Sequence, residues 1–364
     1  MTQVEHEMGT VSRLVRARAR GVASNASGRF EGLSRLAVDD GWSEEEAALL
    51  RTEVRLERAR SAISYNRSPD LPFDRSVNPY RGCEHGCAYC YARPSHAYLN
   101  LSPGLDFETK LIARPGLEAV LAQELRVKSY RPAVIAIGTN TDPYQPIEAE
   151  HGVMRAVLGV LAEFRHPVAI TTKGTLIERD LDILGPMAAQ GLVRVGVSMT
   201  TLDAGLSRAL EPRAPAPARR LAMIRRLSAA GVPVRVMVAP VIPGLTDPEM
   251  EAILEAARDA GAVAASWILL RLPGEVQGLF RDWLATHAPG RAEKVLARLA
   301  ALHGGAVYDA GFGTRMRGNG IWAALIAKRF DVALARLGLD LRLAPLRFDL
   351  FAAPAQAGDQ LSLF

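Results

Sequence analysis

The sequence predicts an α/β fold: a partial (β/α)6 barrel of the TIM type, with an N-terminal helical arm before it and a C-terminal helical extension after it. Two observations carry this prediction. Between about Phe73 and Leu272, short runs rich in valine and isoleucine alternate with longer amphipathic runs, which indicates buried strands with helices packed on both faces. There are about six such units, too few for a closed eight-stranded barrel. The 364 residues and 49% hydrophobic content are typical of a globular protein.

Residues 1–70 are predicted to form a basic arm followed by one helix. Ser43 and Glu46 have the spacing of a capping box, and the run Glu44 to Ala62 contains neither glycine nor proline. Prolines after Ser68 end this pattern, so a new unit is expected to begin near residue 71.

The partial barrel is predicted over residues 71–285, where a first strand precedes Cys83. Functional side chains of such barrels collect on the loops after the strand C-termini. The other strands are predicted at Ala133 to Ile137, Val168 to Thr172, Leu192 to Met199, Val232 to Ala239 and Ala264 to Leu270. The helices are predicted at Leu117 to Lys128, Glu148 to Phe164, Leu176 to Ala189, Pro217 to Ala230 and Asp247 to Ala260.

Residues 286–350 are predicted to be a helical extension, with Lys294 to Leu302 and Ile321 to Leu337 as its clearest helices. A glycine-rich stretch with arginines, Tyr308 to Gly320, separates the two helices. Residues 351–364 contain proline and glycine, and we expect a flexible tail there.

The net charge of +5 is unevenly distributed along the chain. Five arginines and no acid lie between Gly9 and Phe30, and seven lysines or arginines face only two aspartates between Phe312 and Arg347. Such basic regions indicate contact with nucleic acid or another polyanion. The alternative interpretation is that these arginines only solubilise surface helices.

The composition also indicates where the protein works. There are three cysteines, and the first residues lack the apolar run of a secretory signal. No segment reaches the roughly 20 apolar residues of a membrane span. We therefore expect a cytoplasmic protein without disulfides and without a membrane partner.

All three cysteines lie within eight residues, in the run RGCEHGCAYCYARP. Thiolates are soft ligands that select zinc, copper(I) or iron–sulfur clusters. A structural zinc site needs four protein ligands; His85 or His96 is available as the fourth, but a second pair of cysteines is missing. A cluster of four irons held by three thiolates keeps one iron open. In each case Cys83, Cys87 and Cys90 are the predicted metal ligands.

The spacing of the cysteines, three residues and then two with Tyr89 before the last, resembles the signature of the radical S-adenosylmethionine (SAM) superfamily. The resemblance implies that the three cysteines hold a 4Fe-4S cluster and that its open iron binds the amino and carboxylate groups of SAM. It further implies reductive cleavage of SAM to a 5′-deoxyadenosyl radical, which abstracts hydrogen from a substrate. A reducing partner such as flavodoxin or ferredoxin would supply the electron.

Other runs at the predicted strand ends are similar to the spore photoproduct lyase-like branch of that superfamily, which repairs thymine lesions in DNA. The likeness covers about Asn78 to Pro273 and points to a bacterial subgroup marked by the run around the cysteines and by EPRA at Glu211 to Ala214. The runs that carry it are GTNTDPYQPIE, TTK, VSMTTLD and APVIPG.

The resemblance implies cofactor contacts for the loop after the second strand. In the superfamily this loop binds the methionine amino group, and here it carries Thr139, Thr141 and Asp142, with Glu148 as a charge partner. Carboxylates and hydroxyls suit this task because they accept hydrogen bonds from an ammonium. The alternative is that these side chains only shape a turn or cap a helix.

Three further side chains are assigned by the same resemblance. Lys173 and Ser198 match positions that reach the carboxylate and the ribose of the cofactor, and Tyr89 is expected beside the adenine. The alternative for Tyr89 is that it only packs. His85 is expected to shape the loop or to donate a hydrogen bond near the cluster.

One departure from the photoproduct lyase pattern concerns the return of hydrogen to the product. Those enzymes use a further cysteine in the loop after the second strand, whereas this chain has Thr139 there and no fourth cysteine. Either Tyr91, Tyr98 or Tyr144 donates the hydrogen, or the chemistry ends differently.

The last five residues, QLSLF, resemble the short peptide by which bacterial replication and repair proteins dock on the DNA sliding clamp. A mobile peptide of this kind offers a glutamine for hydrogen bonding and apolar side chains for a groove. The alternative is that its apolar side chains fold back onto the barrel rim. The residues concerned are Gln360, Leu361, Leu363 and Phe364.

Three hypotheses of function follow. The first is a radical SAM enzyme that acts on DNA or another nucleic acid. The second keeps the radical chemistry but moves it to a protein or a small molecule. The third is a non-enzymatic protein that binds DNA or the clamp and whose cysteines hold a structural metal.

Overall fold

The computed structural model describes residues 10–12, 20–30, 35–37 and 50–355. Its strands are β1 Thr10–Ser12, β2 Arg35–Ala37, β3 Glu53–Leu56, β4 Ile63–Tyr65, β5 Arg75–Val77, β6 Tyr80–Arg81, β7 Lys110–Ala113, β8 Ile135–Ile137, β9 Val168–Thr172, β10 Val193–Met199, β11 Val234–Val241 and β12 Ala264–Leu269. Its α-helices are α1 Asp106–Thr109, α2 Leu117–Leu125, α3 Glu148–His151, α4 Val153–Glu163, α5 Leu181–Ala189, α6 Ala204–Leu210, α7 Pro217–Ala229, α8 Met250–Asp259, α9 Val276–His287, α10 Pro289–Leu302 and α11 Gly320–Leu337. Three 3-10 helices occupy Arg93–Leu99, Thr175–Asp180 and Asp247–Glu249.

In the described part of the chain, seven strands form the main sheet in the order β4-β5-β8-β9-β10-β11-β12. Six of these strands, β5, β8, β9, β10, β11 and β12, are parallel, and β4 is an antiparallel strand at one edge. Within the described part of the chain, the two edge strands do not pair with each other, so the barrel is open. The predicted partial barrel with six β/α units is confirmed, and its parallel strands direct all their C-terminal ends to one side.

The strand prediction succeeds because these strands are buried on both faces. In β10, six of seven residues are buried, and the predicted strands from Ala133 onward agree with the observed ones to within two residues. The core includes Leu158 from α4, Ile224 from α7 and Leu254 from α8, each fully buried. Helices therefore cover the sheet as expected for a parallel β/α arrangement.

The predicted helix from Glu44 to Ala62 is wrong over its described part, because Glu53–Leu56 is a strand. It pairs in parallel with β7, which also pairs with β6, so the three form a small second sheet. The main-chain NH of Glu57 extends this pairing to the carbonyl of Ala113 at 2.9 Å. Pairing with a neighbouring strand here outweighs local helix propensity.

The helices differ from the prediction mainly at their ends. Gly152 adopts a left-handed conformation with φ of 62° and separates α3 from α4, where one continuous helix is predicted. The helices α1, α6 and α9 lie outside the predicted helix bounds. No helix in the described ranges has both the length and the apolar composition needed to cross a membrane.

The C-terminal helices pack against the last strands and helices of the barrel. On α11, Arg329 donates two hydrogen bonds to Glu251 of α8, at 2.8 and 2.6 Å. Beyond α11, the NH of Asp340 reaches the carbonyl of Val263 at 3.0 Å beside β12.

The start of the predicted tail is packed rather than free. Phe351 lies 5.7 Å from the Tyr130 ring and 5.5 Å from the His166 ring. The NH of Ala352 donates to the carbonyl of Phe164 at 3.1 Å. The predicted clamp-docking residues Gln360, Leu361, Leu363 and Phe364 lie outside the described residues.

Candidate cofactor site

A cavity lies at the C-terminal ends of β8 to β12, where side chains of the loops after these strands converge. In parallel α/β folds, this end of the sheet is where ligands bind. The cavity lining contains the three predicted metal ligands and six predicted cofactor-binding residues, namely Cys83, Cys87, Cys90, Tyr89, Thr139, Thr141, Asp142, Lys173 and Ser198.

The cysteine loop, residues 82–91, is held by main-chain hydrogen bonds. The NH of Cys83 donates to the carbonyl of Phe107 at 2.9 Å, and the NH of Ala88 donates to the carbonyl of Leu210 at 2.9 Å. Gly82 has φ of 75°, and a Cβ there would come within 2.9 Å of the Phe107 carbonyl oxygen. The loop is thus fixed between α1 and the end of α6.

The thiols of Cys83 and Cys87 are poor acids in the absence of metal. Burial raises the pKa of Cys83 well above its usual range, and the Asp142 carboxylate adds to the effect. Burial also raises the pKa of Cys87 to about 12, although Lys173 acts in the opposite direction. These two thiols are therefore protonated at neutral pH, and metal binding must release their protons.

The guanidinium of Arg93 clamps the cysteine loop from beneath. Its N–H groups donate to the carbonyl of Cys87 at 2.8 and 3.0 Å and to that of Gly104 at 2.9 Å, and they pair with the Glu108 carboxylate at 2.5 Å. Both Arg93 and Glu108 have no exposed surface. A buried charge needs such complete pairing, and the sequence alone gave no sign of this clamp.

The N-terminal segment of residues 20–28, here called the covering segment, completes the enclosure of the cysteine loop. The NH of Gly21 donates to Glu108 Oε2 at 2.9 Å, and Arg20 donates to the Glu108 carbonyl at 2.9 Å. A Cβ on Gly21 would stand only 1.5 Å from the carbonyl oxygen of Gly86. One arginine of the predicted basic arm, Arg20, is thus committed to intramolecular contacts.

Asp142 joins the loop after β8 to the end of β9. Its Oδ1 accepts hydrogen bonds from the NH of Tyr144 at 2.9 Å and the hydroxyl of Thr172 at 2.6 Å. Its Oδ2 accepts one from the NH of Lys173 at 2.6 Å and lies 3.4 Å from His85 Nδ1. These contacts occupy most of the acceptor capacity of a carboxylate, so Asp142 is built to position the cavity wall.

The pKa of Asp142 is lowered well below its usual range. Burial acts to raise it, but the charge and hydrogen bond of His85, together with the NH of Lys173 and the Thr172 hydroxyl, more than offset this. His85, which is predicted to shape the loop or donate a hydrogen bond, therefore joins the cysteine loop to the loop after β8.

The other polar residues of the loop after β8 also make contacts within the protein. The hydroxyl of Thr141 donates to the carbonyl of Tyr80 at 3.1 Å, and the carbonyl of Thr139 accepts from the hydroxyl of Tyr91. Glu148 does not line the cavity. Its carboxylate accepts hydrogen bonds from Tyr80, Arg179 and the NH of Met154, so its predicted role as a charge partner of the cofactor is wrong.

Lys173 and Tyr89 lie against one buried carboxylate, that of Glu211, and Ser198 contacts Lys173. Lys173 Nζ donates to Ser198 Oγ at 3.1 Å and lies 3.9 Å from Glu211 Oε1. The Tyr89 hydroxyl donates to Glu211, whose other oxygen pairs with Arg220. Both Glu211 and Arg220 are almost completely buried.

Electrostatics keep this network charged at neutral pH. Burial opposes ionisation of Glu211, but Arg220 and Lys173 lower its pKa to about 2. Burial likewise disfavours the charged form of Lys173, yet the charge of Glu211 leaves its pKa raised. Sequence reasoning missed Glu211 and Arg220 as site residues, although Glu211 opens the EPRA run, because their contacts with Tyr89 and Ser198 span distant parts of the chain.

The comparison with known families decides which chemistry this geometry belongs to. Residues 77–257 match the Radical SAM superfamily. The chain belongs to the radical SAM superfamily. Members of this superfamily use a 4Fe-4S cluster and SAM, which are therefore its cofactors.

Relatives of this radical SAM chain occur in bacteria and archaea. An uncharacterized protein of Mycobacterium tuberculosis is 44% identical over 221 residues, which cover 60% of this chain and 65% of the relative. An uncharacterized protein of Methanocaldococcus jannaschii is 25% identical over 193 residues, covering 53% of this chain and 69% of the relative. The chain thus spans about 65% of the mycobacterial relative's length.

Solved structures of spore photoproduct lyase share the fold. The enzyme complexed with dinucleoside spore photoproduct matches with a TM-score of 0.57 and 14% identity, over 79% of this chain and 81% of that one. A variant of the lyase matches with a TM-score of 0.59 and 13% identity, over 85% and 90% of the two chains. The predicted likeness to that branch is confirmed at the level of the fold.

The residues present fit a 4Fe-4S cluster. The three thiols line one cavity, with Cys83 and Cys87 buried. Among the described residues, no three histidine, cysteine or acidic side chains converge as the ligands of one ion would. Thiolates of a 4Fe-4S cluster bind different irons, so they do not need to converge on one point. Cys83, Cys87 and Cys90 would hold the cluster.

The three tyrosines considered as hydrogen donors occupy different environments. Tyr91 lines the cavity. Tyr98 is 72% exposed and contacts Phe30, with ring centroids 5.1 Å apart. Tyr144 is buried and does not line the cavity. Tyr91 alone among these three faces the space where cofactor and substrate would meet.

The basic C-terminal region carries less free charge than its composition indicates. Of its seven lysines and arginines, at least four are paired with acids of the chain. These pairs are Arg315–Asp70, Arg329–Glu251, Arg336–Glu255 and Arg347–Asp349. Intramolecular pairing therefore explains part of the arginine content that the sequence associates with a polyanion.

Proposed function

We propose that this chain is a radical SAM enzyme that acts on nucleic acid. The main support for the proposal is that three thiols and all six predicted cofactor residues line the same cavity. When bound and reduced, the cluster supplies the electron that cleaves SAM to the 5′-deoxyadenosyl radical. The chain's own residues bind and orient the cofactor and exclude water from it.

Lys173 is the residue we assign to the SAM carboxylate. It is a buried cation whose partner Glu211 is 3.9 Å away and already paired with Arg220, so its ammonium has donors to spare. Its Nζ also lies 5.9 Å from the centroid of the Tyr89 ring. This arrangement supports a carboxylate beside Lys173 and an adenine beside Tyr89, with Ser198 between them.

Asp142, Thr139 and Thr141 shape the wall that faces the methionine amino group. Asp142 is ionised but already accepts several hydrogen bonds, so we assign it the role of fixing the loop after β8. Thr139 stands where photoproduct lyases have their hydrogen-donating cysteine, and its carbonyl accepts from Tyr91. This contact supports Tyr91 as the group that returns hydrogen to the product.

A nucleic-acid substrate is supported by charge and by the fold. The chain has a net charge of +5, which favours association with polyanions. The structural neighbour with bound dinucleoside spore photoproduct has the same fold. Because the hydrogen-donating cysteine of that branch is absent here, the proposal does not extend to the identical repair reaction.

The cofactor chemistry can be tested without knowledge of the substrate. Anaerobically reconstituted protein with dithionite and SAM should form 5′-deoxyadenosine, measured by liquid chromatography. The Cys87→Ala variant, carried through the same reconstitution, should form none. A wild-type protein with a fully loaded cluster that yields no 5′-deoxyadenosine would disprove the enzymatic proposal.

Metal analysis separates the proposal from a structural zinc site. Anaerobically purified protein is expected to contain about four irons per chain and to absorb in the visible range. One zinc per chain without visible absorbance would instead favour the non-enzymatic hypothesis.

The remaining partners are also proposals. The reductant would be a flavodoxin or a ferredoxin in the cytoplasm. Docking on the sliding clamp through the final five residues stays a prediction, and deletion of Gln360 to Phe364 tests it, since unchanged binding to purified clamp would refute it.

A further inference from the structure

Three basic side chains line the cavity, and two of them have an acidic partner. His85 faces Asp142 at 3.4 Å, and Lys173 faces Glu211 at 3.9 Å. The third, Arg271, follows β12, and its Nε is buried without a hydrogen-bond partner in the described part of the chain. A buried N–H of a charged group destabilises the folded protein when it has no acceptor. Arg271 is therefore suited to bind an anion.

The position of Arg271 is set by an aromatic ring. Its guanidinium carbon lies 4.9 Å from the centroid of the Tyr91 ring, and the Tyr91 hydroxyl is in turn bonded to the carbonyl of Thr139. A guanidinium stacked on a ring keeps its N–H groups free in the plane. Those donors match the geometry of an oxyanion such as a phosphate, which arginine binds with two parallel hydrogen bonds.

The glycine-rich stretch Tyr308 to Gly320 reaches the rim of the cavity through Met316, which lines it. Asp70 anchors this stretch by accepting from the NH of Gly313 at 2.7 Å and from Arg315 Nε at 2.6 Å. Arg315 lies 4.6 Å from the centroid of the Phe312 ring, which is 61% exposed. An exposed aromatic ring beside an arginine is the kind of surface on which single-stranded bases stack.

We infer that Arg271 binds a phosphate group of the substrate and thereby selects nucleic acid, with Phe312 as a stacking surface at the rim. This inference rests on the proposed function and adds a residue that determines substrate class. A carboxylate of a protein or a small metabolite would suit Arg271 equally, but it would leave the exposed Phe312 without a role.

The test measures binding of a fluorescently labelled single-stranded oligodeoxynucleotide to the full-length, anaerobically reconstituted protein by anisotropy. Arg271→Gln should weaken binding about tenfold and lower the slope of log affinity against log salt concentration by about 0.7, the contribution of one phosphate contact on a single strand. Arg271→Lys should bind at an intermediate level because it keeps the charge but loses the planar pair of donors. Phe312→Ala should weaken binding without changing the salt slope.

The matched control is Arg225→Gln, which removes one exposed arginine from α7 on the outside of the barrel. It should bind the oligonucleotide almost as well as the wild type. Thermal unfolding of each variant shows whether it is folded. If Arg271→Gln does not fold, the comparison of Arg271→Lys with the wild type still tests the inference. The inference would be overturned if Arg271→Gln, Arg271→Lys and Arg225→Gln bound the oligonucleotide with equal affinity. It would also be overturned if polyglutamate displaced the oligonucleotide as readily as unlabelled DNA does.

Two further measurements separate this inference from the proposed function. Affinity for SAM should be the same in Arg271→Gln and the wild type, and a large loss would reassign Arg271 to the cofactor and overturn the inference. Formation of 5′-deoxyadenosine without nucleic acid tests the radical chemistry alone. If it occurs while Arg271→Gln binds DNA normally, only the role of Arg271 fails.

Discussion

At the scale of single residues, the site depends on side chains whose charges are balanced inside the protein. Glu211 is shared between Arg220 and Lys173, and Glu108 is shared between Arg93 and the covering segment. In each case the carboxylate is paired with a buried arginine. It also contacts a second group, which lies in the cavity or in the segment that covers the cysteine loop. Removing different partners should therefore have different consequences.

Replacing Lys173 is expected to affect the cofactor more than the fold. In Lys173→Met, Glu211 keeps its pair with Arg220, so the free energy of unfolding should change little. Affinity for SAM should fall by about tenfold to a hundredfold, the loss expected for a hydrogen bond to a charged group. Equilibrium dialysis with reconstituted protein measures this, with the exposed Lys128→Met as control. Equal SAM affinity of the two variants would remove Lys173 from the cofactor site.

Replacing Arg93 is expected to destabilise the protein and loosen the cysteine loop together. Arg93→Lys keeps the charge but cannot reproduce the several donors that reach Cys87, Gly104 and Glu108, and a buried acceptor left without a donor costs about 1–3 kcal/mol. Urea unfolding measures the stability, and iron content after reconstitution reports the loop. Arg347→Gln, which breaks an exposed pair, should change neither quantity. Normal iron binding by Arg93→Lys would contradict the clamp.

At the scale of elements, the turn between α4 and β9 contains a histidine that is kept neutral. His166 is fully buried; its Nδ1 donates to the carbonyl of Pro167 at 3.0 Å and its Nε2 accepts from the Tyr130 hydroxyl at 2.7 Å. Burial lowers its pKa to about 4, and nearby Arg75 acts in the same direction.

This histidine should make stability depend on pH in a defined window. Its folded pKa lies below the unfolded value of 6.5, so the unfolded chain binds more protons and acidification favours unfolding. Its contribution should be lost as pH falls from about 6.5 to 4, in total about 3 kcal/mol. The free energy of unfolding, measured with urea across this pH range, should change less steeply with pH in His166→Gln than in the wild type. An identical slope would assign the pH dependence to other groups, such as His96 and His303, whose pKa values burial also lowers.

The covering segment should be sensitive to a single added methyl group. In Gly21→Ala the new Cβ would stand 1.5 Å from the Gly86 carbonyl oxygen, so the segment must move away from the cysteine loop. We expect the variant to lose iron faster in air, and the decrease of visible absorbance measures this loss. Gly278→Ala on α9, where an added Cβ meets nothing within 4 Å, is the control. Equal rates of iron loss would mean that the segment does not protect the loop.

These elements also show what the sequence could and could not predict. The strands from β8 to β12 were predictable because burial on both faces leaves a nearly continuous apolar run. Strand β3 was not, because its pairing with β7 depends on a partner more than 50 residues away and leaves most of β3 exposed. The covering segment was hidden for a similar reason, since its contacts use main-chain groups that any sequence provides.

At the scale of the whole molecule, the candidate site was predictable to the extent that it follows the family pattern. The three cysteines and six cofactor residues could be assigned from short runs, and the structure gathers them in one cavity. Arg93, Glu211, Arg220 and Arg271 lie outside those runs or carry no distinctive spacing. Their roles depend on contacts between distant segments, which only the folded chain reveals.

The enclosure of the cysteine loop has a practical consequence for anyone who wishes to work with a shortened protein. The region that matches the family, residues 77–257, omits the covering segment, the whole of β12 and the cavity residues Arg271 and Met316. A fragment cut at those limits would expose the partners of Arg93 and leave β11 as a bare sheet edge. The shortest fragment able to carry the complete site therefore runs from Arg20 to at least Met316.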